Sequence, residues 1–340
     1  MRALQLVVHG EPLRLNEVPT PVPAAHEVVV EVAAAGICRS DVHYRSGFPK
    51  VGPLPLTLGH EVAGTVSGVG SDVSELSPGD RVCLHYQVGC GVCGYCRQGF
   101  DQFCPEARMI GNGRDGGFAE QIVIPARNAI IVPPAVPIEQ AAVMMCSSAT
   151  ALHAIRKGRL QPGETVAVFG SGGLGVSAIQ LARVLGAREV YAVDMNPAKL
   201  AGASNLGAIA VDARQDPVAD LLATGGVDVA LDLVGSALVM ENCLRSLAPM
   251  GRAVAVGLTS ETMPVGPYTD LVNGESELIG ASDHTAAEIE ELLGLAKDGQ
   301  LDLTDVVQRS VPLEADPVNR AMDELAQWSD VIRTVIVPGT

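Results

Sequence analysis

Thr165-Val166-Ala167-Val168-Phe169-Gly170-Ser171-Gly172-Gly173-Leu174-Gly175 is the stretch that decides the fold of this 340-residue chain. Its first five residues read as a short apolar strand. The glycines that follow form G-x-G-x-x-G, and a helical pattern runs from Leu174 to Leu185 and closes at Gly186. A G-x-G-x-x-G alone is a common turn. Here it follows a strand and opens a helix, and a second strand, Glu189 to Val193, ends at Asp194, nineteen residues beyond Gly175. That context is what a dinucleotide-binding fingerprint requires. Gly170 permits the tight turn, Gly172 lets the backbone approach a pyrophosphate resting on the helix N-terminus, and Gly173, Leu174 and Gly175 complete the loop. Asp194 is placed to accept from the adenosine ribose hydroxyls. A carboxylate there repels a 2′-phosphate, so NAD is expected rather than NADP.

Downstream of the loop, helix and strand patterns keep alternating: Pro197 to Leu206, Ala208 to Val211, Val218 to Ala223, Val227 to Leu233, Met240 to Leu247 and Arg252 to Val256. Such alternation implies βαβ units around a parallel sheet. Upstream, the first 145 or so residues are rich in valine, glycine and proline. Strand candidates there are Glu27 to Val32, Val62 to Val69, Arg81 to Leu84, Phe118 to Ile124 and Ala129 to Val132, punctuated by turns such as Pro78-Gly79-Asp80. Many short strands suggest an antiparallel, barrel-like β domain. The tail carries an acidic helix (Ala286 to Lys297), another from Val318 to Trp328, and a closing strand, Arg333 to Val337.

Composition narrows the partners. A formal net charge of −16 argues against nucleic acid, whose binding needs clustered Lys and Arg. One Trp, five Tyr and five Phe leave little for base-stacking platforms. The longest charge-free run, Thr165 to Ala182, is broken by the loop glycines and is no membrane span. No signal peptide is apparent, which favours the cytoplasm.

Four of the eight cysteines fall within fifteen residues, as Cys90-x2-Cys93-x2-Cys96-x7-Cys104. Four thiolates can close a tetrahedral zinc site with no open position, the pattern of a structural ion. Disulfides and an iron–sulfur cluster are the competitors. The bacterial ferredoxin spacing differs at the fourth cysteine, and zinc is preferred. A second constellation is dispersed: Cys38 in Gly36-Ile37-Cys38-Arg39-Ser40-Asp41-Val42-His43, His60 and Glu61 in Gly59-His60-Glu61-Val62-Ala63-Gly64, and Cys146 in Met144-Met145-Cys146-Ser147-Ser148. Two thiolates and one imidazole make a three-ligand zinc set with a fourth position open to substrate.

With these motifs in the same order along essentially the whole chain, the sequence resembles the zinc-containing medium-chain alcohol dehydrogenases. Gly59-His60-Glu61-x2-Gly64-x5-Gly70-x2-Val73 matches the zinc signature of that family. The resemblance implies an α/β fold: a GroES-like β-rich catalytic domain over 1–147, a Rossmann doubly wound cofactor domain over 148–283, and a return to the catalytic domain over 284–340. It implies two zinc ions per chain, one held by the four-cysteine loop and one by Cys38, His60 and Cys146. Glu61 would stand behind the second ion as an occasional ligand with Arg333 as its charge partner, and Asp41 would accept a hydrogen bond from His60. Cysteine at the third ligand position points to alcohols; glutamate there marks the polyol branch.

The resemblance also implies reversible hydride transfer between NAD(H) and a primary or secondary alcohol and its aldehyde or ketone. The proton would pass from Ser40 by way of the cofactor ribose to His43, with Thr150 near the nicotinamide. Arg39, Lys199, Val234, Val256 and Gly257 would join the glycine loop and Asp194 around the cofactor. Phe48, Tyr86 and Leu258 are candidates for the substrate pocket. A polyol or threonine-type dehydrogenase of the same fold is the alternative, because Cys-Arg-Ser-Asp-Val-His-Tyr resembles that branch locally. A small-molecule substrate, no membrane or nucleic-acid partner, and a homo-oligomer, tetramer or dimer, complete the expectation. Cys83 and Cys243 are left as core thiols.

Overall fold

The computed structural model of the protein describes residues 1–327 and 330–339. The chain divides into two compact units, Met1–Cys146 with Thr285–Thr340, and Ser147–His284. The first break falls one residue before the expected boundary and the second one residue after it. Local hydrogen bonding explains the second: the Thr285 side chain accepts from the Glu288 backbone N–H, so Thr285 belongs to the helix Ala286–Lys297 that it caps.

The first unit is built on strands β1 (Glu27–Ile37), β2 (Glu61–Val69), β3 (Arg81–Leu84), β4 (Gln121–Pro125) and β5 (Ala129–Ile131), with β12 (Val307–Pro312) and β13 (Arg333–Val337) from the returning segment. The sheet order is β5-β3-β2-β1-β13-β12, and β4 also pairs with β1. All neighbours run antiparallel except β12 and β13. Long β1 makes this possible. Residues Glu27 to Glu31 pair with β4 along one edge, and Ala35 to Ile37 pair with β13. Val28, Val30, Val32, Val62, Val66, Leu84, Ile122 and Ile124 pack into its core. Burying such branched apolar surface is the main force holding the sheet together. The fourth strand starts later than expected. Phe118 donates its N–H to the Leu58 carbonyl at 2.9 Å and lies buried before the ladder begins at Gln121.

The helices flanking the site in this unit are short. Helix α1 (Arg39–Ser46) follows β1 directly, and α2 (Ile138–Val143) leads into a wide π-helical turn, Met144–Ser148. The tail helix spans Ala315–Ala326; Trp328, expected at its end, lies outside the described residues.

In the second unit, β6 (Thr165–Phe169), β7 (Glu189–Asp194), β8 (Ile209–Asp212), β9 (Val227–Asp232), β10 (Leu247–Ala255) and β11 (Glu277–Gly280) form one parallel sheet in the order β8-β7-β6-β9-β10-β11. This is the doubly wound order, with ligand sites expected outside the carboxyl ends of the strands. Every residue of β6 is buried, as a central parallel strand covered on both faces requires. Helix α3 (Ala149–Lys157) precedes it and α4 (Gly173–Val184) follows it. One expected helix, Met240 to Leu247, is shifted: it runs Ala237–Arg245 because Ser236 caps it by accepting from the Val239 N–H, and Leu247 opens β10.

Gly64 tests how tightly β1 and β2 are packed. A Cβ at this position would lie 2.0 Å from the Glu31 carbonyl oxygen, which is backbone and cannot swing away. Gly64→Ala is expected to destabilise the protein by about 1–3 kcal/mol or more, read from a lower midpoint in a chemical denaturation curve.

Candidate active site and metal centres

Two clusters of metal-ligating side chains occur among the described residues, and both come from the cysteine motifs. In the first, ligand atoms of Cys38, His60, Glu61 and Cys146 all lie within 4.8 Å of one another. Three separate segments deliver them. Cys38 is the N-cap of α1, His60 immediately precedes β2, Glu61 opens β2, and Cys146 sits in the π-helical turn. Asp41 locks the first pair. One carboxylate oxygen accepts from the Cys38 N–H at 2.8 Å, and the other lies 3.2 Å from His60 Nδ1. With Nδ1 engaged, the ring turns Nε2, buried and without a hydrogen-bond partner, toward the thiols. Such an orphaned nitrogen fits a metal ligand oriented by a carboxylate behind it.

The sulfur spacing gives a second check of fit. Zn–S bonds of about 2.3 Å in a tetrahedron put the sulfurs about 3.8 Å apart. Cys38 Sγ and Cys146 Sγ are 3.9 Å apart. The Cys38 thiol is held well below its ordinary pKa, first by its hydrogen bond with Cys146 and then by His60 and Arg333, against the opposing effect of burial. Its place at a helix N-terminus favours the thiolate too. These donors suit a zinc ion, with Glu61 as a further oxygen donor in the same cluster.

Glu61 stands behind this set, fully buried and paired with Arg333. Its Oε1 has no hydrogen-bond partner. The pair is possible because Gly36 is opposite Glu61 in the ladder, and a Cβ there would come 2.0 Å from Glu61 Oε2. Tyr86 is buried edge-on against His60, ring centroids 5.4 Å apart, and Tyr44 approaches from another side at 6.3 Å. Phe48 is about half exposed. Ser40 and His43, both half-buried, lie one turn apart on α1, and burial, then Arg39, lowers the His43 pKa.

In the second cluster, Cys90, Cys93, Cys96 and Cys104 also have ligand atoms within 4.8 Å of one another, with Cys90 and Cys96 sulfurs 4.0 Å apart. Backbone N–H groups point at the sulfurs, from Cys93 to Cys90 and from Cys90 to Cys104, both at 3.3 Å. N–H groups donating to sulfur stabilise thiolates. Four thiolates in this spacing fit one tetrahedral zinc ion. The remaining cysteines, Cys83 and Cys243, are buried, and burial raises both thiol pKa values. Sequence reasoning missed what braces this loop: Asp101 and Arg127, whose spacing carries no motif.

In the second unit the glycine loop has the shape a dinucleotide needs. Gly170 has φ +98, a left-handed conformation that favours glycine. Gly172 faces open space, and a Cβ at Gly175 would lie 1.9 Å from the Gly170 carbonyl oxygen, so the helix meets the loop backbone to backbone. Asp194 ends β7 beside the loop, accepting from the Ser171 N–H at 2.7 Å and the Asn196 N–H at 2.9 Å. Lys199 lies in the next helix, Pro197–Asn205. Val234, Val256 and Gly257 follow the carboxyl ends of β9 and β10, where buried Asp232 accepts from the Val234 N–H and Gly257 donates to the Asp232 carbonyl. Leu258 is about half exposed, and Thr150 is buried in α3.

Comparison with known proteins places the chain in a family. Two family models match: the alcohol dehydrogenase GroES-like domain over residues 24–134 and the zinc-binding dehydrogenase over residues 173–298. The chain is 34% identical to an NAD-dependent alcohol dehydrogenase of Sulfurisphaera tokodaii over 352 residues, covering 99% of this chain and 100% of that protein. It is 32% identical to a sorbitol dehydrogenase of Bacillus subtilis over 259 residues, 73% of each chain. The crystal structure of an alcohol dehydrogenase from Aeropyrum pernix matches with a TM-score of 0.90 and 34% identity, covering 99% of this chain and 100% of that one. The chain belongs to the zinc-containing alcohol dehydrogenases of the medium-chain dehydrogenase/reductase superfamily. It is an oxidoreductase, built of GroES-like and Rossmann domains, and its two donor sets fit two zinc ions. No helix among the described residues is long and apolar enough to cross a membrane.

Replacing Asp41 by Ala removes the carboxylate that orients His60. Zinc affinity at the Cys38–His60–Cys146 set is expected to fall about 10–100-fold, read by competition with a chelator, while the four-thiol site keeps its ion.

Proposed function

We propose that this protein catalyses reversible, NAD-linked oxidation of a primary or secondary alcohol to an aldehyde or ketone at the Cys38–His60–Cys146 centre. The observation that carries the reading is the buried His60 Nε2, which has no hydrogen-bond partner and shares a cluster with two thiols. Zinc bound there supplies Lewis-acid polarisation of the substrate oxygen, and NAD(H) carries the hydride. The chain's own residues do the rest.

Cys38, His60 and Cys146 hold the catalytic ion, and Asp41 keeps His60 in the tautomer that offers Nε2 to it. Glu61, held by Arg333, is within reach as a transient ligand. Cys90, Cys93, Cys96 and Cys104 hold the structural ion. Gly170, Gly172, Gly173, Leu174 and Gly175 cradle the pyrophosphate at the N-terminus of α4. Asp194 would accept from the ribose hydroxyls with Lys199 near the same sugar, Arg39 would serve the pyrophosphate, and Val234, Val256, Gly257 and Thr150 would hold the nicotinamide half. Ser40 takes the alcohol proton, and His43 passes it to water. The lowered pKa of His43 keeps its imidazole neutral, and so able to accept a proton, to below its ordinary value near 6.5.

Tyr86, buried against His60, and Phe48 in the same unit support medium or bulky apolar alcohols over polyols, and Leu258 of the second unit is a further candidate for substrate contact. Cysteine at position 146 supports this choice. The similarity to a sorbitol dehydrogenase, with the Cys38–Tyr44 segment, keeps the polyol reading as the alternative. Cytoplasmic residence fits a protein whose clustered thiols need a reducing compartment. Association into a homotetramer or dimer completes the proposal, and light scattering on the purified protein measures it.

Turnover of benzyl alcohol and of sorbitol with NAD separates the two substrate readings; faster oxidation of sorbitol would overturn the first. His43→Ala is expected to lower kcat for alcohol oxidation about 100-fold. In the parent enzyme kcat falls as pH drops through the His43 pKa, below 6.5, and that limb disappears in the variant. Asp194→Gly is expected to erode the preference for NAD over NADP, and an unchanged ratio of kcat/KM values would contradict its role.

A further inference from the structure

Arg127 lies outside every motif, in the short turn Ala126–Asn128 that follows β4. Its guanidinium nevertheless reaches the four-cysteine loop at three points. Nη2 donates to the Gly89 carbonyl, next to Cys90, at 2.5 Å. Both terminal nitrogens donate to Asp101 Oδ1 at 3.3 Å, and Nη1 also lies 3.5 Å from Oδ2. The guanidinium also lies over Gly91, where a Cβ would come within 3.7 Å of its Cζ. Asp101, between Cys96 and Cys104, is buried, whereas the Arg127 side chain is 39% exposed.

Asp101 also stands close to a metal ligand. A Cβ at Gly89 would meet Asp101 Oδ1 at 2.5 Å and Cys96 Sγ at 2.7 Å, so carboxylate and sulfur flank the same α-carbon. Four thiolates around a divalent ion carry a net charge of −2, and a carboxylate beside them adds to it. A cation shared between Asp101 and the Gly89 carbonyl offsets that repulsion and ties the first and last thirds of the loop together.

We propose that Arg127 and Asp101 are positioning residues for the four-thiol centre, and that their pairing governs how long this site retains its zinc. The proposal rests on reading Cys90, Cys93, Cys96 and Cys104 as zinc ligands. It makes an asymmetric demand. Removing Arg127 strands the Asp101 carboxylate beside the thiolates, whereas removing both charges together does not.

The test is zinc release from the purified, zinc-loaded enzyme to the chromogenic chelator 4-(2-pyridylazo)resorcinol, with His60→Ala used to identify the phase belonging to the catalytic ion. Arg127→Met is expected to accelerate release from the four-thiol site at least tenfold and leave the catalytic phase unchanged. The double variant Arg127→Met/Asp101→Asn is expected to release zinc several-fold more slowly than Arg127→Met alone, and Arg127→Lys to fall between Arg127→Met and the parent. Release from Arg127→Met within twofold of the parent overturns the proposal, as does a double variant at least as fast as Arg127→Met. If Arg127→Met does not fold, the comparison of Arg127→Lys with Arg127→Lys/Asp101→Asn decides in the same way. One zinc per parent chain, none of it at the four-thiol site, would overturn the ligand reading itself. Normal loading with unchanged release would overturn only the pair.

Discussion

A carboxylate and a guanidinium, Glu61 and Arg333, meet inside the first unit with almost no access to water. Burying either charge alone would be costly, and removing one partner of such a pair typically costs about 3–5 kcal/mol. The requirement that they meet constrains much else. Arg333 opens β13 in the returning segment, 272 residues from Glu61 in sequence, so the C-terminal strand must enter the sheet beside β1. Position 36 must lack a side chain, because Glu61 occupies the space a Cβ would fill. With these satisfied, β1 ends where α1 can begin at Cys38, and His60 is held next to it at the start of β2.

The two metal sites use the same ion chemistry in opposite settings. The Cys38, His60, Glu61 and Cys146 donors are buried and come from segments distant in sequence, so the fold imposes their geometry. The four-cysteine loop is local and partly exposed, and its own backbone N–H groups point at the sulfurs. Four thiolates around a divalent ion would leave a net negative charge at the loop, the first set has the Glu61 carboxylate beside it, and each is answered by one arginine nearby. Arg333 stands behind Glu61, and Arg127 stands over the loop. A formal charge of −16 for the chain conceals this local balance.

The cofactor half follows from backbone geometry more than from side-chain charge. Gly170, Gly172 and Gly175 shape the phosphate cradle by what they omit, and Asp194 braces the same loop through the Ser171 N–H. The ribose contact proposed for Asp194 would tie cofactor choice to loop conformation.

The linear sequence determined those features whose physics is local. The glycine loop between strand and helix, the closely spaced four cysteines and the acidic helix Ala286–Lys297 are set by spacing and periodicity and appear where the spacing puts them, and the alternation around the loop appears with one helix shifted. Through family resemblance, Cys38, His60 and Cys146 were legible as a set. The wide turn that carries Cys146 was not, because a π-helical turn depends on how its flanking helices pack. Nor were the Gly36–Glu61 fit, the Tyr86 contact with His60, or the Arg127–Asp101 brace. Each depends on residues far apart in the chain, and no local periodicity encodes their meeting. Only the tertiary structure could decide them, because burial, hydrogen-bond satisfaction and charge pairing are settled between elements once the sheet has closed.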